Sequence, residues 1–103
     1  MGAEGIHIDS SGDDIVVRVV GDVDLFNESD LERLLSDACR KGRRVVLDAS
    51  LVGFAGSSAI RLLVLTRRIC TDHGSEFVIR QPPERLVRLL EISELLDTFD
   101  LEH

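Results

Sequence analysis

Three short apolar runs, spaced by amphipathic stretches, constrain this chain more than any other feature. Ile15-Val16-Val17-Arg18-Val19-Val20, Val45-Val46-Leu47-Asp48 and Phe77-Val78-Ile79 are rich in β-branched or aromatic residues and read as strands. Between the first two, Leu31, Leu34, Leu35, Ala38 and Cys39 recur at i, i+3, i+4, i+7 and i+8, which is one face of a helix. Between the second and third, Ala59, Leu62, Leu63, Thr66, Ile69 and Cys70 do the same. Strands separated by helices need crossovers, so the pairings across them are expected to be parallel. The first run, nearly all apolar, is expected to be a central strand buried on both faces.

The flanking segments complete the pattern. Gly5-Ile6-His7-Ile8-Asp9 alternates as an edge strand, and the turn cluster Ser10-Ser11-Gly12-Asp13-Asp14 joins it to the next run as a hairpin. Asn27 is placed as the N-cap of the first helix, with Glu28 and Asp30 in the first turn; Lys41 and Gly42 close it. Pro82-Pro83 opens a further helix with Leu86, Leu89 and Leu90 on its apolar stripe, and Ser93 caps a last short one. The expected fold is one α/β domain over residues 1–100: a mixed sheet of about four to five strands packed against about four helices. Leu101-Glu102-His103 reads as the remnant of an expression tag and is set outside the fold.

With 103 residues the chain can bury one core. Twelve basic against nineteen acidic side chains give a net charge of −7, and Phe, present four times, is the only aromatic. That is neither the electrostatic footprint nor the stacking surface of a nucleic-acid binder. No apolar run approaches a membrane span, and Met1-Gly2-Ala3-Glu4-Gly5 does not begin a signal peptide, so a cytoplasmic location is expected. Cys39 and Cys70 lack metal-type spacing and are expected to be reduced, core-facing thiols. His7 and His73 join no nucleophile–base set, and there is no phosphate-cradling loop or nucleophile elbow. No catalytic residue, metal ligand or cofactor site is expected.

The candidate site is the segment Phe54-Ala55-Gly56-Ser57-Ser58-Ala59-Ile60-Arg61. It places hydroxyls where the first N–H groups of a helix lack partners and the dipole is positive. There a serine can be a cap or can accept a phosphate; Ser57 is the better cap. Gly53 reads as a loop residue tolerating positive φ, and Gly56 either as the same or as a gap that exposes the serine. Phe26 reads as a core or staple residue, or as an interface anchor if exposed. Asp48 reads as a strand-end residue bonding the following turn.

Gly21-Asp22-Val23-Asp24, Val45-Val46-Leu47-Asp48 and Phe54 to Ile60, in this order and spacing, resemble the STAS domain family, and more narrowly the bacterial anti-sigma factor antagonists. The resemblance runs through the Pro82-Pro83 to Leu96 segment. It implies a non-enzymatic regulator that binds an anti-sigma factor with serine kinase activity and frees a sigma factor. Phosphorylation of the second hydroxyl residue, Ser58 here, would switch it off, and a phosphatase would reset it. The implied partner contacts are Asp22, Asp24, Asn27, Gly56, Ser57, Ser58 and Arg61. Two positions depart from the phosphorylatable pattern: Gly56 replaces an Asp before the hydroxyl pair, and Ala59 a Gly after it. The alternative is a STAS adaptor subunit of a transport or signalling assembly, which needs the fold without the kinase-recognition turn.

Overall fold

A computed structural model describes residues 5–23 and 27–103, without the side chains of residues 11, 54, 55 and 57. In chain order it contains β1 (Gly5–Ser11), β2 (Asp14–Val23), α1 (Glu28–Arg40), β3 (Arg44–Ala55), α2 (Ser57–Asp72), β4 (Phe77–Arg80), α3 (Glu84–Ile92), a 3-10 turn (Leu96–Thr98) and β5 (Asp100–Glu102). The five strands lie side by side in sequence order. β1 pairs antiparallel with β2, and β2 to β5 pair in parallel, which makes the expected mixed sheet.

This order decides where the helices go. A parallel sheet that always advances in one direction, through right-handed crossovers, puts every crossover on the same face. Burial follows: in β2, Ile15, Val17 and Val19 are buried, Val16 and Val20 half-buried, and Arg18 exposed. The first apolar run is therefore not buried on both faces as its composition suggested. Its inward residues join Val45, Leu47, Ala49, Phe77 and Ile79 against Leu31, Leu35, Leu62, Leu63, Leu86 and Leu90 from the helices.

The opposite face is closed by charge. Arg44, Val46 and Asp48 point there from β3, with Val78 beside Val46. The Arg44 guanidinium donates to Asp14 at 2.8 Å and to Glu102 at 3.2 Å, and Arg80 donates to Glu102 at 2.6 Å. This chain of ion pairs spans β2 to β5 across Val46 and Val78, which are 0% and 6% exposed. Nearby, Asp48 accepts from the Ser50 hydroxyl at 2.7 Å, the Ser50 N–H at 3.0 Å and Arg18 at 3.2 Å. Burial alone would raise the Asp48 pKa, but these bonds more than offset it and hold it below the usual range. Arg80 and Arg44 lower that of Glu102. A carboxylate with a depressed folded pKa contributes stability above its unfolded pKa and loses it as pH falls through the folded one. The urea midpoint is therefore expected to drop as pH falls below about 4, and Asp48→Asn should flatten that acid limb.

Three other expectations change. Ser93 ends α3 instead of starting a helix: its N–H reaches the Leu89 carbonyl, and Glu94 follows at φ +60°. The last short helix is a single 3-10 turn. Asp100–Glu102, partly set aside from the fold, forms an edge strand whose Glu102 holds two arginines.

The cysteines do face the core, but they are bonded to each other. Sequence spacing hides this, because the packing of α1 on α2 brings the two Cα atoms to 4.6 Å across 31 residues. Among the described residues no helix is long and apolar enough to cross a membrane.

Candidate functional site

β2, β3 and β4 are parallel, so the segments leaving them emerge at one sheet edge. There α1, α2 and α3 all begin. Two register shifts, between Arg18 and Val20 and between Gly21 and Val23, bulge β3 against β2 and prolong their pairing to Val23 and Ala55. The expected loop through Gly53 is thus strand. Gly21 takes φ +97° within this irregular stretch, where a side chain would be strained.

The bulged pairing brings Asp22, near the end of β2, against the end of β3. A Cβ on Gly53 would collide with Asp22 Oδ1, so glycine is favoured here by close approach to a side chain that would otherwise have to move; its φ is outside the left-handed region. Asn27 occupies the N-cap position of α1, yet its side chain makes no cap bond; its Nδ2 instead donates to the Asp22 carbonyl at 2.7 Å. Asp22 and Asn27 are therefore joined, with the Asp22 side chain exposed. Asp24 and Phe26 lie outside the described residues. Gly53→Ala is expected to cost less than about 1 kcal/mol, because the obstructing atom is the end of a mobile side chain. It should still displace the Asp22 carboxylate, seen as a shifted Asp22 side-chain NMR signal beside an almost unchanged urea midpoint.

At the start of α2 the cap is Gly56, with φ −83° and ψ −174°, so neither Ser57 as cap nor positive φ at Gly56 is found. Gly56 has no side chain to offer the helix, and the first closing bond runs from the Ala59 N–H to the Gly56 carbonyl at 2.9 Å. Ser57 is the first residue of α2, and its side chain lies outside the described residues. Ser58 is second and exposed. Both α1 and α3 carry acidic residues in their first turn, Glu28 with Asp30 and Glu84; α2 carries none. No acidic residue of that turn compensates its N-terminal partial charge. Arg61, one turn on, is exposed and makes no ion pair among the described residues.

Sequence reasoning missed two neighbours of this edge. A cleft of about 430 Å³ lies between Gly53 and the start of α3, lined by Pro83, Glu84, Arg85 and Arg88. Leu51, turned outward by the bulge opposite Val20, is 54% exposed. Arginines just after Pro82-Pro83 were the available signal for the cleft; the bulge that exposes Leu51 had none.

Residues 6–101 match the family model described as Mlab, STAS domain. The chain belongs to the STAS domain family. A curated relative, the anti-sigma-B factor antagonist of Bacillus subtilis (strain 168), is 23% identical over 96 residues, which is 93% of this chain and 88% of the relative. Among solved structures, an anti-sigma factor antagonist from Mycobacterium paratuberculosis is 26% identical with a TM-score of 0.77, covering 95% of this STAS domain and 84% of that chain. The anti-sigma factor antagonist SpoIIAA in its unphosphorylated form shares the fold at a TM-score of 0.80 and 15% identity, over 96% of this chain and 89% of that one.

Proposed function

We propose that this STAS domain is a cytoplasmic, non-enzymatic anti-sigma factor antagonist, turned off by phosphorylation of Ser58. The observation that carries the reading is the start of α2: an exposed serine at the second helical position, a cap with no side chain and no acid in the first turn. A phosphoryl group there brings about −1.5 to −2 charges to the positive end of a dipole and keeps the helix intact. The relatives' own names supply the partner class, an anti-sigma factor. The unmodified protein would bind it through Ser58, Ser57, Gly56, Arg61, Asp22, Asp24 and Asn27, in competition with sigma. The anti-sigma factor would be the serine kinase, with a phosphatase restoring the hydroxyl.

The test is phosphotransfer from ATP and Mg²⁺ by anti-sigma factor kinases expressed from the same genome. One phosphate per chain, located at Ser58 by mass spectrometry and lost in Ser58→Ala, is the expected result. No transfer from any of these kinases defeats the phosphorylation reading. It would favour the second one, an adaptor subunit of a transport or signalling assembly. Gly56 speaks for that alternative, since it stands where the phosphorylatable pattern places a carboxylate that could orient the hydroxyl.

A further inference from the structure

The Cys39–Cys70 disulfide ties the last turn of α1 to the last turn of α2. Both residues are almost fully buried, at 0% and 1% exposure. Yet Cys70 belongs to the wall of an open polar cleft of about 330 Å³ between the end of α2, the start of β4 and the segment entering β5. The cleft's charged groups are Arg67, Glu76, Asp97 and Asp100, one guanidinium against three carboxylates. Cys39 does not line this cleft, and its carbonyl is held by the Ser75 hydroxyl at 2.6 Å.

We propose that Cys39–Cys70 is a thiol–disulfide exchange site, reached through this acidic cleft by neutral or cationic thiols, whose reduction destabilises the domain. A thiolate entering the cleft attacks Cys70 Sγ. The Sγ–Sγ bond breaks, and Cys39 leaves as a thiolate that takes a proton from water. A second thiol then attacks the mixed disulfide at its external sulfur and releases Cys70. Two external thiols are oxidised to one disulfide while two cysteines are reduced. The three carboxylates repel an anionic thiol, and Arg67, three residues before Cys70 on the same helix, only partly offsets them. The site therefore discriminates between reductants by charge.

Reduction has a consequence for stability, because the bond closes a 31-residue separation between two helices. Opening such a loop restores entropy to the unfolded chain. The bond lies at the ends of α1 and α2 opposite the Ser58 edge, so its loss acts through the stability of the whole domain. The exchange itself requires neither a partner protein nor a phosphate.

The experiment uses the full chain purified in air. Thiol titration in guanidinium should find no free thiol before treatment and two after a phosphine reductant. Native protein is then reduced with cysteamine or with mercaptoethanesulfonate at matched thiolate concentration. Cysteamine should be several-fold faster, and Asp97→Asn with Asp100→Asn should narrow the ratio. The melting temperature should fall by about 10 °C or more on reduction. Two free thiols in the purified protein would overturn the proposal. So would equal rates for the two reagents, or a rate that levels off at the unfolding rate as thiol rises. An unchanged melting temperature would overturn the destabilisation on reduction.

Discussion

Ser58→Glu is expected to weaken binding to the anti-sigma factor by tenfold or more, while Ser58→Ala stays close to the unmodified protein. The two changes are alike in removing the hydroxyl, and they differ in charge and bulk. At the second position of α2 a carboxylate meets a helix end with no acid in its first turn. It should therefore leave the fold intact and add about 0.3–1 kcal/mol of stability. Against a docked partner the same charge must be stripped of water. A penalty of about 1.4 kcal/mol already amounts to tenfold in affinity. Phosphate carries about twice the charge of glutamate and should exceed it. Calorimetric titration of the partner, with urea denaturation of each variant, separates the two effects. Equal affinity for a Ser58→Glu variant that stays folded would sink the electrostatic switch.

The helix start that carries this prediction was legible in the residues, because Ser57-Ser58 follows a strand and precedes an apolar repeat at helical spacing. Its details were not. Capping depends on one dihedral angle, and the chain places Gly56, not a serine, at the extended position before the helix. The Asp22–Gly53 approach was hidden for a different reason. It arises from two bulges in a parallel ladder, and a bulge is a relation between strands that neither strand displays alone.

The sheet teaches the same distinction. The strands of the core announced themselves by composition, yet composition could not say how many faces were covered. That follows from the order of the strands, which depends on which runs pair. Val46 and Val78 are buried on the face away from the helices, and Arg44, Glu102 and Arg80 provide the cover. Glu102 lay in the segment set aside as a tag, so the partner that completes the lattice could not be foreseen. The disulfide belongs with these cases, since it unites the ends of two helices whose separation in sequence has no periodic signature.

Core truncation should give the largest loss of stability. Leu35→Ala is expected to cost about 2–5 kcal/mol, in proportion to the cavity that the surroundings fail to close. Leu35 is fully buried on α1 and belongs to the same cluster as Val17, Val19 and Leu62. A sheet clamps one side of that cluster and the α1–α2 disulfide restrains the helices, so the site has little freedom to collapse. The total stability of a domain this size is about 5–15 kcal/mol. The variant should therefore lose a large share of it, with a melting temperature lower by about 10 °C or more. Leu34, beside it in sequence and on the same expected helical face, is only half-buried. Leu34→Ala should cost clearly less, and the comparison by urea denaturation holds residue type, helix and propensity constant. If the two leucines proved equally costly, the one-sided core around Leu35 would be the wrong account of how this sheet is stabilised.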